Sequence, residues 1–146
     1  MKKLLPAALA ALPLLAQAQA SAEKFVLAGK VASATAATKA YLRYTVDERR
    51  VVDSAVVQRG VFMFKGAVPT PTVATLTLSH KGTPLAKTQD NAPLYLEQGT
   101  IRVTTPDSAS KATVLGTPLN ASAAQLKAQL APLRTEYDAL LRQYFA

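Results

Sequence analysis

With 146 residues, no cysteine and a formal net charge of +8, the chain is long enough for one domain plus accessories. It has no route to disulfides, thiol redox catalysis or thiolate metal sites. The positive charge is scattered, Arg49-Arg50 being the only adjacent basic pair after Lys2-Lys3, and no basic face carries stacking aromatics, which argues against a nucleic-acid partner.

Residues 1–20 read as a secretory signal peptide: Met1-Lys2-Lys3 is the basic start, Leu4 to Leu15 the apolar run, and Ala16-Gln17-Ala18 and Ala18-Gln19-Ala20 are both small-x-small cleavage sites. The run is too short to span a membrane, and no cysteine follows to carry a lipid anchor. The expected product is a soluble periplasmic or cell-envelope protein beginning near Ser21, its charge lowered to +6 by the loss of Lys2 and Lys3. Its roughly 126 residues can bury a workable core without staples.

Phe25, Leu27 and Val31 share one face of a first strand, with Gly29 between them. Ala32 to Thr38 is a loop. Ala40 to Val46 is a second strand, in which Leu42, Tyr44 and Val46 alternate with Tyr41, Arg43 and Thr45, and Asp47 to Arg50 is a charged turn. Val51 to Gly66 then reads as a hairpin that organises the rest. Val51, Val52, Val56 and Val57 form a β-branched run and Gln58-Arg59-Gly60 the turn, with Gly60 suited to positive φ. Phe62 and Phe64 point one way on the return strand, against Val61, Met63 and Lys65. A lone hairpin is not stable in water, so the remaining chain must cover its aromatic face.

Pro69-Thr70-Pro71 interrupts the strands, and Thr72 to Ser79 alternates again. His80 to Pro93 is a polar loop. Leu94-Tyr95-Leu96, a turn at Glu97-Gln98-Gly99 and Thr100 to Thr104 read as a second hairpin. Pro106 to Ser110 is a loop and Ala112 to Leu115 a short last strand. Roughly eight strands with frequent turn signals predict a mainly β, antiparallel sandwich-like domain over residues 21–116.

The period changes after Gly116. Thr117 is placed to cap a helix and Pro118 to occupy its first turn. Leu119, Leu126, Leu130, Leu133, Tyr137, Leu140 and Tyr144 form one apolar stripe of close to 3.5-residue spacing over the helical segment 117–146. Pro132 predicts a kink or break near Ala131. The stripe either packs on its own sheet or makes a contact outside the domain, as a homodimer or with another protein.

No catalytic, cofactor-binding or metal-binding residue is assigned. His80 is the only histidine and reads as a surface residue. Asp53 with Asp47 or Glu48 is the one candidate carboxylate couple, and its spacing is not fixed by sequence. Ser54 and Ser79 lack a Gly-x-Ser-x-Gly context, and no Gly-rich phosphate loop occurs. Asn120-Ala121-Ser122 fits a glycosylation sequon by chance. Phe62 and Phe64 form either a binding platform or, the commoner fate, core.

The order of these motifs resembles a domain of unknown function found at the N-terminus of exported bacterial thioredoxin-like proteins, ahead of a peroxiredoxin-type (AhpC/TSA) or disulfide-reductase module. The resemblance rests on Asp53-Ser54, Gly60, Phe62, Phe64 and Gly66; on Leu96, Gly99 and Ile101; and on Gly116, Pro118, Leu119 and Asn120. It implies a structural role for Asp53 and Ser54, hydrogen-bonding backbone near the first hairpin. Because this chain carries no cysteine, none of the redox module's chemistry transfers to its residues. The expected function is a non-catalytic binding or assembly domain. The alternatives are the front part of a thiol-disulfide oxidoreductase or peroxiredoxin and, more weakly, a carbohydrate-binding or hydrolytic sandwich.

Overall fold

Alternating side chains become strands when one face can be buried, and the described residues supply eight such segments. The computed structural model describes residues 22–34 and 37–145; the export leader read over residues 1–20 lies outside them. The strands are β1 (Glu23–Val31), β2 (Lys39–Val46), β3 (Arg49–Val56), β4 (Val61–Val68), β5 (Thr72–Ser79), β6 (Asn91–Leu96), β7 (Gly99–Thr105) and β8 (Thr113–Leu115), followed by one helix, α1 (Pro118–Phe145). They form two four-stranded sheets, ordered β4-β1-β7-β8 and β3-β2-β5-β6. Every ladder is antiparallel except β1–β7, which is parallel.

One core draws on both sheets: Phe25, Leu27, Phe64, Val68 and Ile101 from the first meet Leu42, Leu76, Leu78, Leu94 and Leu96 from the second. Phe25 packs edge-on against Tyr44 across the sandwich, with ring centroids 6.3 Å apart. Phe62 and Phe64, 5% and 6% exposed, also lie in this core, so they form no surface platform.

Neither expected hairpin exists as a paired unit. β3 pairs with β2 and β4 with β1, so the Gln58-Arg59-Gly60 turn carries the chain from one sheet to the other. The link from β6 to β7 through Glu97 and Gln98 does the same. The first turn is nonetheless as tight as read: Gln58 and Val61 exchange both backbone hydrogen bonds at 2.9 Å, with Arg59 and Gly60 at φ 51° and 77°. Gly60 is required for a second reason, since its carbonyl accepts the Val31 N–H and a Cβ there would lie 2.5 Å from the Val31 oxygen. Alternation specifies which face of a strand is buried, and that face is the same whether the next strand pairs alongside or crosses to the opposite sheet. The tight hairpin actually made is β2–β3, where Asp47 and Glu48 take φ 47° and 63° in the stretch read as a charged turn.

On the core side of β1 and β4, glycine and phenylalanine face each other twice. Gly29 is registered with Phe62 and Phe25 with Gly66, on either side of Leu27 and Phe64. Each ring lies over the bare glycine opposite, and a Cβ on Gly29 would sit 2.0 Å from the Phe62 ring.

The strand β6 begins at Asn91, so Pro93 lies within it rather than in the preceding loop, on an edge where a missing N–H is tolerated. α1 runs unbroken through Pro132, so of the kink or break expected near Ala131 the break does not occur.

Candidate functional site

β6 and β8 are the edge strands where α1 leaves the sandwich. An open edge exposes backbone groups to any passing strand. Here one side chain blunts it. The Tyr95 N–H donates to Asn120 Oδ1 at 3.0 Å, and Asn120 Nδ2 donates to the Tyr95 carbonyl at 2.7 Å, as a neighbouring strand would. Two residues back along the same edge stands Pro93, which has no N–H to offer.

The first turn of α1 is anchored at this point. Pro118 has no N–H; Leu119 and Asn120 donate theirs to Glu97 Oε1 at 2.9 and 3.3 Å; Ala121 donates to the Thr117 carbonyl at 2.9 Å. Thr117 thus opens the helix with its carbonyl. Its hydroxyl accepts from Asn120 Nδ2 at 2.8 Å, and the capping carboxylate comes from Glu97, twenty-two residues upstream. A buried carboxylate at a helix N-terminus satisfies orphan donors and complements the helix dipole. With Asn120 only 2% exposed and its amide committed to these partners, the Asn120-Ala121-Ser122 sequon is closed to modification in the folded chain.

Beyond its first turn α1 stands away from the sandwich. A cleft of about 730 Å³ separates them, floored by Pro93, Leu94 and Val114 and roofed by Ala124, Ala131 and the basic side chains Lys127 and Arg134. The helix face over this cleft, centred on Asn120, Lys127 and Arg134, is about 100° around the axis from the leucine stripe at 100° per residue. The stripe therefore does not pack on its own sheet, and Leu119, Leu126, Leu130, Leu133, Tyr137, Leu140 and Tyr144 are 38–83% exposed.

The remaining sequence candidates do not converge. Asp47 and Glu48 sit in the β2–β3 turn, while Asp53 lies four residues further along β3 than Arg49, roughly 13 Å away. That exceeds the spacing of a working carboxylate couple. Asp53 neighbours Tyr44: burial, first, and then the adjacent carboxylate raise the Tyr44 phenol above its ordinary value near 10.0. Ser54 is exposed on the outer face of β3. His80 is half-buried rather than a free surface residue: its Nδ1 is 3.4 Å from Thr38 Oγ1 and its Nε2 is 3.7 Å from Asp90. Asp90 in turn accepts the N–H groups of Ala109 and Ser110 at 2.8 and 2.9 Å, tying two long loops together. Ser79 donates to the Thr83 carbonyl within the first of these loops. Arg43 reaches Asn91 Oδ1 at 3.1 Å and Thr77 Oγ1 at 3.3 Å, a bracing role across three strands. Among the described residues no group of three or more His, Asp or Glu could hold a metal, and no helix is long and apolar enough to cross a membrane.

Of the residues that hold the helix, Asn120 is marked in the sequence by the family resemblance and by lying three residues after Thr117, whereas Glu97 carries no signal beyond preceding a Gln-Gly turn.

Compared with known protein families, residues 25–122 match the model of a domain of unknown function, DUF4369. No curated protein and no solved structure matches. The matched region comprises the sandwich and the anchored first turn of α1, with Glu97, Thr117 and Asn120, and stops before Leu126.

Proposed function

We propose that this chain, which belongs to the DUF4369 family of domains of unknown function, is an exported, non-catalytic binding and assembly module acting through the free face of α1. The observation that carries this reading is the exposed stripe: seven large side chains at coiled-coil spacing, on a helix held to its own domain by one turn. Isolated helices are marginal in water, and their stability in proteins comes from packing an apolar face. A 28-residue helix, about 42 Å long, whose stripe is turned from its own sandwich is built to be covered by something else. Export is supported by the basic start, apolar run and small-x-small sites of residues 1–20.

The test is the native mass of the exported protein in extracts of its own cell envelope, beside the Leu126→Asp/Leu133→Asp variant. A species heavier than the single chain, lost in the variant, is expected. Equal single-chain masses for both would overturn the reading, as would insulin reduction or peroxidase turnover above buffer by the purified chain.

A second reading is favoured by the way α1 carries the chain far from the sandwich, and by the resemblance of its strand and turn motifs to domains preceding thioredoxin-like modules. In it the domain positions a thiol-disulfide or peroxiredoxin module that lies outside this sequence. The intact mass of the exported protein decides, since a mass larger by a thioredoxin-sized domain is required.

A further inference from the structure

We infer that the partner of the α1 stripe is a second copy of this chain, joined to the first as a parallel two-stranded coiled coil. This rests on the assembly reading above and names its occupant.

Written as heptads, the helix places Leu119, Leu126, Leu133 and Leu140 at d, and Ala123, Leu130, Tyr137 and Tyr144 at a. An unbroken a/d seam of this kind, with leucine at every d position, is what two helices bury against each other. Pro132 falls at c, off the seam, and the carbonyl it leaves without an N–H partner belongs to Ala128 at f, opposite the seam. The interruption therefore does not touch the interface.

The flanking charges select the orientation. In a parallel pair each g position faces the e position five residues later on the partner: Ser122 faces Lys127, Gln129 faces Arg134 and Glu136 faces Leu141, with no like charges opposed. In an antiparallel pair e faces e and g faces g. Setting Leu130 against Leu133 of the second copy puts Lys127 opposite Arg134. The register one heptad along opposes Arg134 to Arg134 and Glu136 to Glu136. Both registers that overlap most of the stripe thus pay like-charge repulsion. The six large stripe residues from Leu126 to Tyr144 are 48–83% exposed; covering them on two chains removes on the order of 1,200–1,500 Å² from water, enough for a specific interface. The sandwiches sit on the e flank; of the seam residues only Ala123 lines the cleft against them, and the seam from Leu126 to Tyr144 is clear.

The experiment is sedimentation equilibrium of the full exported chain, with orientation read by cross-linking. The absence of cysteine makes a single introduced thiol unambiguous. Twice the single-chain mass is expected at micromolar concentration. Leu126→Asp/Leu133→Asp is expected to raise the dissociation constant at least 100-fold while the thermal unfolding of the sandwich stays unchanged. Leu140→Cys is expected to oxidise to a disulfide with its own counterpart, because d meets d only in the parallel form; antiparallel registers separate the two thiols by roughly 15 Å or more. A dimer whose Leu140→Cys variant fails to cross-link overturns the orientation. A single-chain mass at 100 µM overturns the second copy as occupant. In that case, a heavier, stripe-dependent species in the native extract containing a different protein leaves the assembly reading standing, and its absence removes both.

Discussion

The sandwich and the outer part of α1 are written in the same kind of sequence and meet opposite fates. In the sandwich, the inward apolar faces find partners within the chain: Phe62 lies over Gly29, Phe25 over Gly66, and Leu42 stands beside Leu76 in the shared core. On α1 an equally regular stripe, Leu126 to Tyr144, meets nothing. Periodicity states that a face needs covering. It does not state whose surface does the covering, and the node of Glu97, Thr117 and Asn120 marks where intrachain cover ends.

Truncation on the two sides of that node gives the largest contrast. Phe62→Ala removes a buried ring from the core and is expected to destabilise the sandwich by about 3–5 kcal/mol in urea unfolding. Leu133→Ala, at concentrations where the chain is monomeric, is expected to shift it by under about 0.5 kcal/mol, as exposed positions do. Comparable shifts for both would mean that α1 is part of the cooperative unit and that the division is wrong.

Next in size is the reciprocal error, adding an atom where there is no room. Gly29→Ala brings a methyl group into the Phe62 ring and is expected to cost about 1–3 kcal/mol, as overpacking does. In a Phe62→Leu background the same change is expected to cost measurably less, because the ring it strikes is gone. A full, unchanged cost in the double mutant would place the strain elsewhere.

Strand positions and buried faces were legible because they depend on local alternation: the Phe62 and Phe64 face, the Leu42 face and the Leu76-Leu78 face are all buried as their spacing implies. Pairing was not. Gln58-Arg59-Gly60 makes the tight turn its residues suggest, yet the strands it joins belong to different sheets, because Val31 N–H takes the Gly60 carbonyl and β2 takes β3 through Asp47-Glu48. The helix was legible from Pro118 and the stripe, while its anchor was not. A capping carboxylate supplied from twenty-two residues away, and an asparagine standing in for a strand, obey no short-range spacing rule.

Cutting that anchor is expected to have a smaller effect. Asn120→Ala leaves the Tyr95 N–H and carbonyl without their partner, and a loss of about 1–2 kcal/mol is expected. Glu97→Gln removes the charge facing the helix N-terminus and is expected to cost about 0.5–1 kcal/mol. The readout that separates docking from general stability is limited trypsinolysis after Lys127 and Arg134, which should accelerate in both variants before the sandwich itself becomes susceptible. Unchanged cleavage at those sites would show that the node does not hold the helix.

The finest test stays inside the sandwich, on the side where partners exist. Tyr44 stands between the core and Asp53, with burial as the larger cause raising its phenol and the carboxylate as the second. A phenol raised in the folded state holds its proton more tightly there than in the unfolded chain. Its stabilising contribution is therefore complete below about pH 10 and is lost as pH rises through the folded value. Tyrosinate absorbance of the wild type minus that of Tyr44→Phe should titrate above 10.0. In Asp53→Asn the midpoint should fall toward that value without reaching it, because burial remains after the charge is removed. A midpoint that returns fully would reverse the order of the two causes, and would place Tyr44 in water rather than at the edge of the core that Phe25 shares with it.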